Sequence, residues 1–414
     1  MASAQTTMAE SNSKRRKASE EKDDRISSLP EDVLNHILSY LPTKTIVSTG
    51  QRLASFVVLV NNVLLRNPSG IRKMRLNCAH SIINDNNLRA RSVDSWVRVV
   101  IGPHLEELDL DLLPDLDDDD LDGPNFKLPL SLFTCPNLVS LSLCNAIHLN
   151  IQSFTTISLP SLKILLIDIF GYVEVPMVNA LLCGCPNIEV LDLKFLTNSL
   201  DNVCLPPTLK RLKIGIESKE VGPSLEINAP DLEYINIYQY SFSDVLNMKN
   251  LHNVIEASLD LMPFSYDFVV PLLKLLNNLS RAKHLVLSDS TTKWLLGEPR
   301  DLLFQEFCNL LHLDLTLPWF SSNSLLSLLH KCPILRVLKI RNKEKQSPIL
   351  GWAPQPTAPN CLVSHLTFIE FKGFRGFSDE ISFVEDVLQK GLVLKTVIIA
   401  DITVDQGKKY DILK

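Results

Sequence analysis

The sequence has little glycine, 14 residues in 414, and few aromatics, 7%. That excludes low-complexity and collagen-like chains, and with 45% hydrophobic residues an ordered core is expected. It also lacks a strong charge of either sign. The net charge of -6 is small for this length, and basic and acidic residues are mixed along most of the chain, so nothing suggests a dedicated nucleic-acid binder. Long hydrophobic runs are missing too. The longest, Leu53 to Leu65, is broken by Asn61 and Asn62 and falls short of the roughly 20 residues that span a bilayer, so no membrane segment is expected. No apolar stretch follows Met1, which argues against a secretory signal and predicts a reducing compartment, cytoplasmic or nuclear, with the nine cysteines as thiols.

Catalytic phrases are equally scarce. There is no GxxxxGK[ST] phosphate loop, no GxGxxG after a strand, no GxSxG elbow and no HExxH helix, so neither an enzyme nor a bound cofactor is expected. The histidines are scattered, and Cys183-Gly184-Cys185 does not have the spacing of a zinc pair. The acidic run Asp115 to Asp122 lacks the glycine and glutamate offsets of an EF-hand and reads as a solvated loop.

What is present falls into segments. Residues 1–24 form a polar tail that carries Lys14-Arg15-Arg16-Lys17, a candidate nuclear-import cluster, followed by Glu20, Glu21, Asp23 and Asp24. From Ser28 a capping-box pattern with Pro30 in the first turn opens an amphipathic helix with Val33, Leu34, Ile37, Leu38 and Leu41 on one side. Pro42 stops it, and Thr43 caps a second short helix that ends at Gly50. A further helical stretch, Gln51 to Arg66, is closed by Asn67-Pro68-Ser69-Gly70.

The rest is organised by repetition. The phrase apolar-x-x-apolar-x-apolar runs from Ile71/Met74/Leu76 through Leu105/Leu108/Leu110, Leu138/Leu141/Leu143, Leu162/Leu165/Ile167, Ile188/Leu191/Leu193, Leu209/Leu212/Ile214 and Leu232/Ile235/Ile237 to Leu310/Leu313/Leu315, Leu335/Leu338/Ile340 and Leu394/Val397/Ile399. Val254/Ala257/Leu259 and Ala282/Leu285/Leu287 are weaker copies. Intervals mostly in the twenties to low thirties match a leucine-rich repeat, in which each unit lays down one short parallel strand and returns by a helix or loop. Alternation along a strand sends the phrase leucines inward and the intervening residues to the open face. Several units open on Cys-Pro or Ala-Pro, as at Cys135-Pro136-Asn137, Cys185-Pro186-Asn187, Ala229-Pro230-Asp231 and Cys332-Pro333-Ile334. Proline there ends the return segment and forces its predecessor into extended geometry, and one cysteine per repeat reads as a small buried hydrophobe.

The run from Asp24 to Lys44, with Leu29-Pro30-Glu31-Asp32 and Leu41-Pro42-Thr43-Lys44, resembles the opening of plant F-box proteins. Near the C-terminus Trp352, Pro354, Pro359, Cys361-Leu362, Leu366, Glu370-Phe371-Lys372-Gly373-Phe374, Gly376, Glu380, Val387-Leu388 and Leu394-Lys395 look like the FBD region of the same family. The resemblance implies an α/β fold: a short helical F-box remnant at 25–50, a leucine-rich-repeat solenoid at 51–350 with helices or loops behind a curved parallel sheet, and an FBD region at 351–414. It further implies that the chain is the substrate-recognition subunit of an SCF-type ubiquitin ligase. Leu29, Pro30, Val33, Leu34, Ile37, Leu38, Leu41 and Pro42 would then meet a Skp-type adaptor and, through it, a cullin scaffold, while the repeats hold an unknown target protein.

The sequence departs from the family pattern after Thr49. Gly50-Gln51-Arg52 leads directly into the helix before the first repeat strand, where family members carry a serine-lysine-arginine-tryptophan helix, so a truncated F-box is expected. Five helix side chains at about 1.5–3 kcal/mol each give roughly 7–15 kcal/mol gross. Association costs about 4–15 kcal/mol, which makes the remnant marginal on its own. The alternative expectation is therefore a repeat-based interaction module that has lost adaptor binding, as a splice form or degenerate paralogue. The FBD copy, ending at Lys409 to Lys414, is also expected to be short. The candidate binding face comprises Glu106, Glu107, Asp109, Lys210, Arg211, Lys213, Glu233, Tyr234 and Asn236, with Tyr238 and Tyr240 as candidate anchors.

Overall fold

A computed structural model describes residues 70–400 together with Val60, Asn61 and Leu64, apart from 79–85, 113–125, 150, 152–155, 219–224, 242–245, 263–268, 297–304 and 344–356. The tail cluster Lys14–Lys17, the F-box positions Leu29 to Pro42, the acidic run Asp115–Asp122, Trp352, Pro354 and the last residues from 401 onward lie outside the described residues.

Eighteen strands are described. They are β1 (Lys73–Cys78), β2 (Glu107–Leu112), β3 (Phe126–Lys127), β4 (Ser140–Asn145), β5 (Ile147–His148), β6 (Ile164–Tyr172), β7 (Val190–Leu196), β8 (Val203–Cys204) and β9 (Arg211–Glu217), followed by β10 (Leu225–Asn228), β11 (Tyr234–Ser241), β12 (Leu246–Lys249), β13 (Glu256–Met262), β14 (His284–Leu287), β15 (His312–Leu317), β16 (Val337–Asn342), β17 (Phe368–Lys372) and β18 (Thr396–Ala400). Thirteen of them form one sheet in the order β1-β2-β4-β6-β7-β9-β11-β13-β14-β15-β16-β17-β18, every pair parallel. Neighbours in space are neighbours in sequence order, as stacking of successive repeats requires.

Twelve of these strands fall on the phrases read from the sequence. The thirteenth, β17, follows the same phrase at Leu366/Ile369/Phe371 and went unread because those residues also carry the FBD resemblance. Within the strands the phrase residues are buried and the intervening ones partly or largely exposed, as in the alternation of β2 and β7. The phrase leucines, from Leu76 to Leu366, lie in one continuous core. A single unit has nothing against which to bury such a row; each leucine removed from water between two units contributes about 1.5–3 kcal/mol.

Register is fixed where each strand begins. The carbonyl of Arg72 accepts the backbone N–H groups of Glu106 and Glu107, that of Lys163 those of Glu189 and Val190, and that of Arg336 those of Thr367 and Phe368. Asparagines at the unit entries add a side-chain rung: in the Cys-Pro-Asn turns Asn137 Nδ2 donates to the Pro103 carbonyl (2.6 Å) and Asn187 to Pro160 (2.7 Å), and in Leu251-His252-Asn253 the asparagine donates to Pro230 (2.8 Å). Cys135, Cys185 and Cys332 are buried beside these turns, and burial pushes the Cys185 thiol up to about 12. They pack as the small hydrophobes the spacing predicts.

Return segments differ along the stack. Helices α1 (Asn86–Val100), α2 (Val175–Cys183), α3 (Val269–Asn278), α4 (Asp289–Leu296), α5 (Ser322–His330), α6 (Asn360–Ser364) and α7 (Ser378–Lys390) serve most units. Between β7 and β13 the units are short: Val190 pairs with Arg211, Arg211 with Tyr234 and Tyr234 with Glu256. Some twenty residues leave no room for a multi-turn helix, and β8, β10 and β12 return instead as a second parallel sheet.

The C-terminal strands β17 and β18 continue the main sheet, so the FBD region packs as further repeats. Phe371 stacks on Phe320 of the preceding array, with ring centroids 5.3 Å apart, and Phe383 meets Phe320 edge-on at 5.6 Å. Two buried carboxylates complete the join. Asp379 accepts from the hydroxyl (2.5 Å) and backbone N–H (3.2 Å) of Ser322, the first residue of α5. Glu380, fully buried, accepts from Asn342 Nδ2 (2.8 Å) and from the N–H groups of Arg375 (2.9 Å) and Phe377 (3.1 Å). The turn it holds includes Gly373 at φ +73°, where an added Cβ would lie 2.1 Å from the Asn342 carbonyl oxygen, so only glycine fits.

Candidate interaction surface

Side chains that the core does not use line up in rows across the open face of the main sheet. The first and third positions of each strand read Lys73, Arg75 on β1, Glu107, Asp109 on β2, and so on to Thr396, Ile398 on β18, with one more row contributed by the residue that precedes each strand. Parallel register sets these residues side by side, close enough for cross-strand contact.

From β1 to β9 the cations of this grid are matched on the neighbouring strand. Arg72 pairs with Glu106 (2.6 Å), Lys73 with Glu107 (2.6 Å) and Arg75 with Asp109 (2.8 Å). Glu189 lies between Lys163 (3.2 Å) and Lys210 (2.9 Å), and hydrogen bonds from Lys210 and then Lys163 hold its carboxyl below the usual range. Lys194 reaches Asp168 (3.4 Å) and Lys213 reaches Asp192 (3.3 Å), while Arg211 sits over the Tyr234 ring, 4.3 Å from its centroid. Burial raises the Asp192 carboxyl in spite of Lys213.

Most of the residues predicted for a binding face are therefore already engaged with one another. Glu106, Glu107 and Asp109 are paired with β1, Lys210 and Lys213 with β7, and Arg211 with Tyr234. Glu233 lies in the row that precedes the strands, and Asn236 faces outward on β11, registered against Lys213. Tyr238 lies over Gly215, where a Cβ would come within 2.6 Å of its ring; burial raises its hydroxyl. The side chain of Tyr240 is outside the described residues.

The far end of the sheet differs. Outward residues of β14 to β18 and the positions preceding them include Lys283, Arg336, Lys339, Arg341, Lys372 and Lys395 against Asp314 and Glu370. Lys372 pairs with Glu370 at 3.0 Å. His284 and His312 stack with ring centroids 4.3 Å apart, and burial, then His284, Lys339 and Arg336, lower the His312 pKa. Burial raises the Asp314 carboxyl, although Lys339 and Arg341 pull it down. Sequence reading missed this clustering because charges fifty residues apart come together only once the register is known.

Among the described residues no cluster of three or more His, Cys, Asp or Glu side chains could hold a metal ion, and no helix is long and apolar enough to cross a membrane.

Residues 64–409 match the family profile described as the At1g61320/AtMIF1 LRR domain, and residues 26–51 match the F-box domain. The chain belongs to the F-box/FBD/LRR-repeat family. Its relatives in Arabidopsis thaliana include F-box/FBD/LRR-repeat protein At4g26340, 27% identical over 94% of this chain and 96% of that protein. FBD-associated F-box protein At5g38590 is 27% identical over 91% and 94%, and F-box/FBD/LRR-repeat protein At1g51370 is 30% identical over 90% and 88%. In this chain the F-box match precedes the repeat match. The F-box match ends at residue 51.

Proposed function

We propose that the chain is the target-recognition subunit of an SCF-type ubiquitin-ligase complex: the F-box segment docks on a Skp-type adaptor and through it a cullin scaffold, while the open face of the repeats holds the target. The supporting observation is the coupling, in one chain, of an F-box match at 26–51 with a thirteen-strand sheet whose outward rows serve no core. On this reading the chain performs no catalysis itself; ubiquitin chemistry belongs to other subunits. The adaptor contact is assigned to Leu29, Pro30, Val33, Leu34, Ile37, Leu38, Leu41 and Pro42. Co-expression with a Skp-type adaptor tests it: the pair co-purifies, Leu34→Asp abolishes recovery, and failure to recover adaptor at micromolar concentration overturns the reading.

A second reading, a repeat module that binds its target without joining a ligase, is favoured by Gly50-Gln51-Arg52, where the F-box match ends. Target binding without adaptor binding would distinguish it. Cytoplasmic residence, nuclear residence or both is proposed, the nuclear part resting on Lys14-Arg15-Arg16-Lys17; a fluorescent fusion loses nuclear signal when these four are alanine.

A further inference from the structure

The outward grid of β14 to β18 is arranged as a stripe between two cationic flanks. Along its first row run His284, His312, Val337 and Phe368, one per strand in register, ending at Thr396. On one flank, in the row that precedes the strands, stand Lys283, Arg336 and Lys395, all exposed. On the other side the next row reads Val286, Asp314, Lys339, Glu370 and Ile398, with Val286 and Ile398 exposed at its ends, and the row beyond it carries Arg341 on β16 and Lys372 on β17. Only Lys372 has a carboxylate within ion-pair distance among the described residues. Elsewhere on the sheet the same kind of cation is answered by its neighbour, so this cluster is set apart by the company it lacks.

We propose that this stripe docks an acidic segment of a partner protein, with apolar side chains seated on His312, Val337 and Phe368 and carboxylates reaching the cations on either side. The proposal rests on the reading of the chain as a target receptor and specifies the chemistry of what it receives. Four inter-strand steps of about 4.8 Å make the stripe roughly 19 Å long, the reach of about six residues of extended chain. Charge complementarity selects the occupant: five of the six cations have no ion-pair partner among the described residues, so an acidic ligand reaches them without first breaking ion pairs. A nucleic acid fits less well, because Asp314 and Glu370 stand among the cations and oppose an unbroken run of phosphates, whereas an extended peptide can set its few carboxylates away from them.

The test is fluorescence anisotropy on the purified full chain with a labelled synthetic peptide of alternating Glu and Leu or Phe, and with the same peptide carrying Gln for Glu. The expected result is saturable binding of the acidic peptide alone, weakened at least about tenfold by the double variant Lys339→Glu/Arg341→Glu and by raised salt. The matched variant Lys163→Glu/Lys210→Glu at the self-paired end leaves affinity unchanged. Urea midpoints of both variants are recorded, and Val337→Asp supplies an independent lesion should the double variant fold poorly. Equal binding by the Gln peptide, indifference to both C-terminal lesions, or displacement of the peptide by a single-stranded RNA at lower concentration overturns the proposal. Adaptor recovery is scored on the same preparations: peptide failure with adaptor binding intact rejects only this inference, and the reverse rejects only the ligase reading.

Discussion

Strands β1–β9 and strands β14–β18 share one inward pattern and diverge outward. In the main-sheet strands of the first group each outward cation meets a carboxylate or a ring of the adjoining repeat, from Arg72 with Glu106 to Lys213 with Asp192. In the second, five of the six outward cations have no such partner among the described residues. Exposed ion pairs contribute little to stability, about 0–1 kcal/mol, so the difference is not one of folding. It lies in what is left over: a self-neutralised face offers a charged partner little, whereas an unanswered cluster offers a field. The same repeat can thus serve as spacer or as receptor according to which residues occupy the outward positions.

The largest expected effect comes from breaking the C-terminal end alone. Glu380→Ala removes the buried carboxylate that accepts from Asn342 Nδ2 and from two backbone N–H groups, a loss of about 3 kcal/mol or more. Urea unfolding followed by hydrogen exchange should show β16–β18 opening first with β1–β9 unchanged; uniform loosening would refute the local role assigned to this carboxylate.

Next, the interiors are compared directly. Leu141 and Leu338 are both fully buried in equivalent strand positions, so Leu141→Ala and Leu338→Ala should each cost about 2–5 kcal/mol, by similar amounts. A much smaller cost at one end would mean that the halves differ in packing as well as in surface.

The smallest effects are in titration, and their signs oppose. The Glu189 carboxyl, held by Lys210 and Lys163, titrates below the ordinary carboxylate range. It therefore stabilises the fold above the unfolded value and loses that contribution as pH falls through its folded value. Asp314, raised chiefly by burial, behaves oppositely: its ionised form opposes folding, and that penalty is relieved as pH falls through its folded value toward the ordinary range. Carbon-detected NMR titration checks both, and added salt should move Glu189 back toward the ordinary range. Equal values for the two carboxyls would erase the distinction.

The fold was legible wherever leucine spacing carried it. Twelve of the thirteen main-sheet strands sit on phrases visible in the sequence, because burying a period-two row needs the same residues in every repeat. The β17 phrase was hidden by its phenylalanines, Phe368 and Phe371, and by the FBD resemblance laid over it. Return strands β8, β10 and β12 were not legible either, since two to four residues show no period. The candidate face was readable as a list of outward residues but not as a map. Which cation meets which carboxylate depends on loop lengths, and thus on register, which changes from one repeat to the next.

The bond from Asp379 to Ser322 has a consequence for how the molecule comes apart. In a linear stack each layer senses only the one beside it, and damage at one place can stop at the next boundary. This bond joins α7 to α5 across the single-turn α6, skipping a layer, while Phe383 touches Phe320 over the same gap. The layers that follow β15, β16 and β17 are thereby tied to one another, so the cations of β16 and β17 are expected to be exposed or lost together.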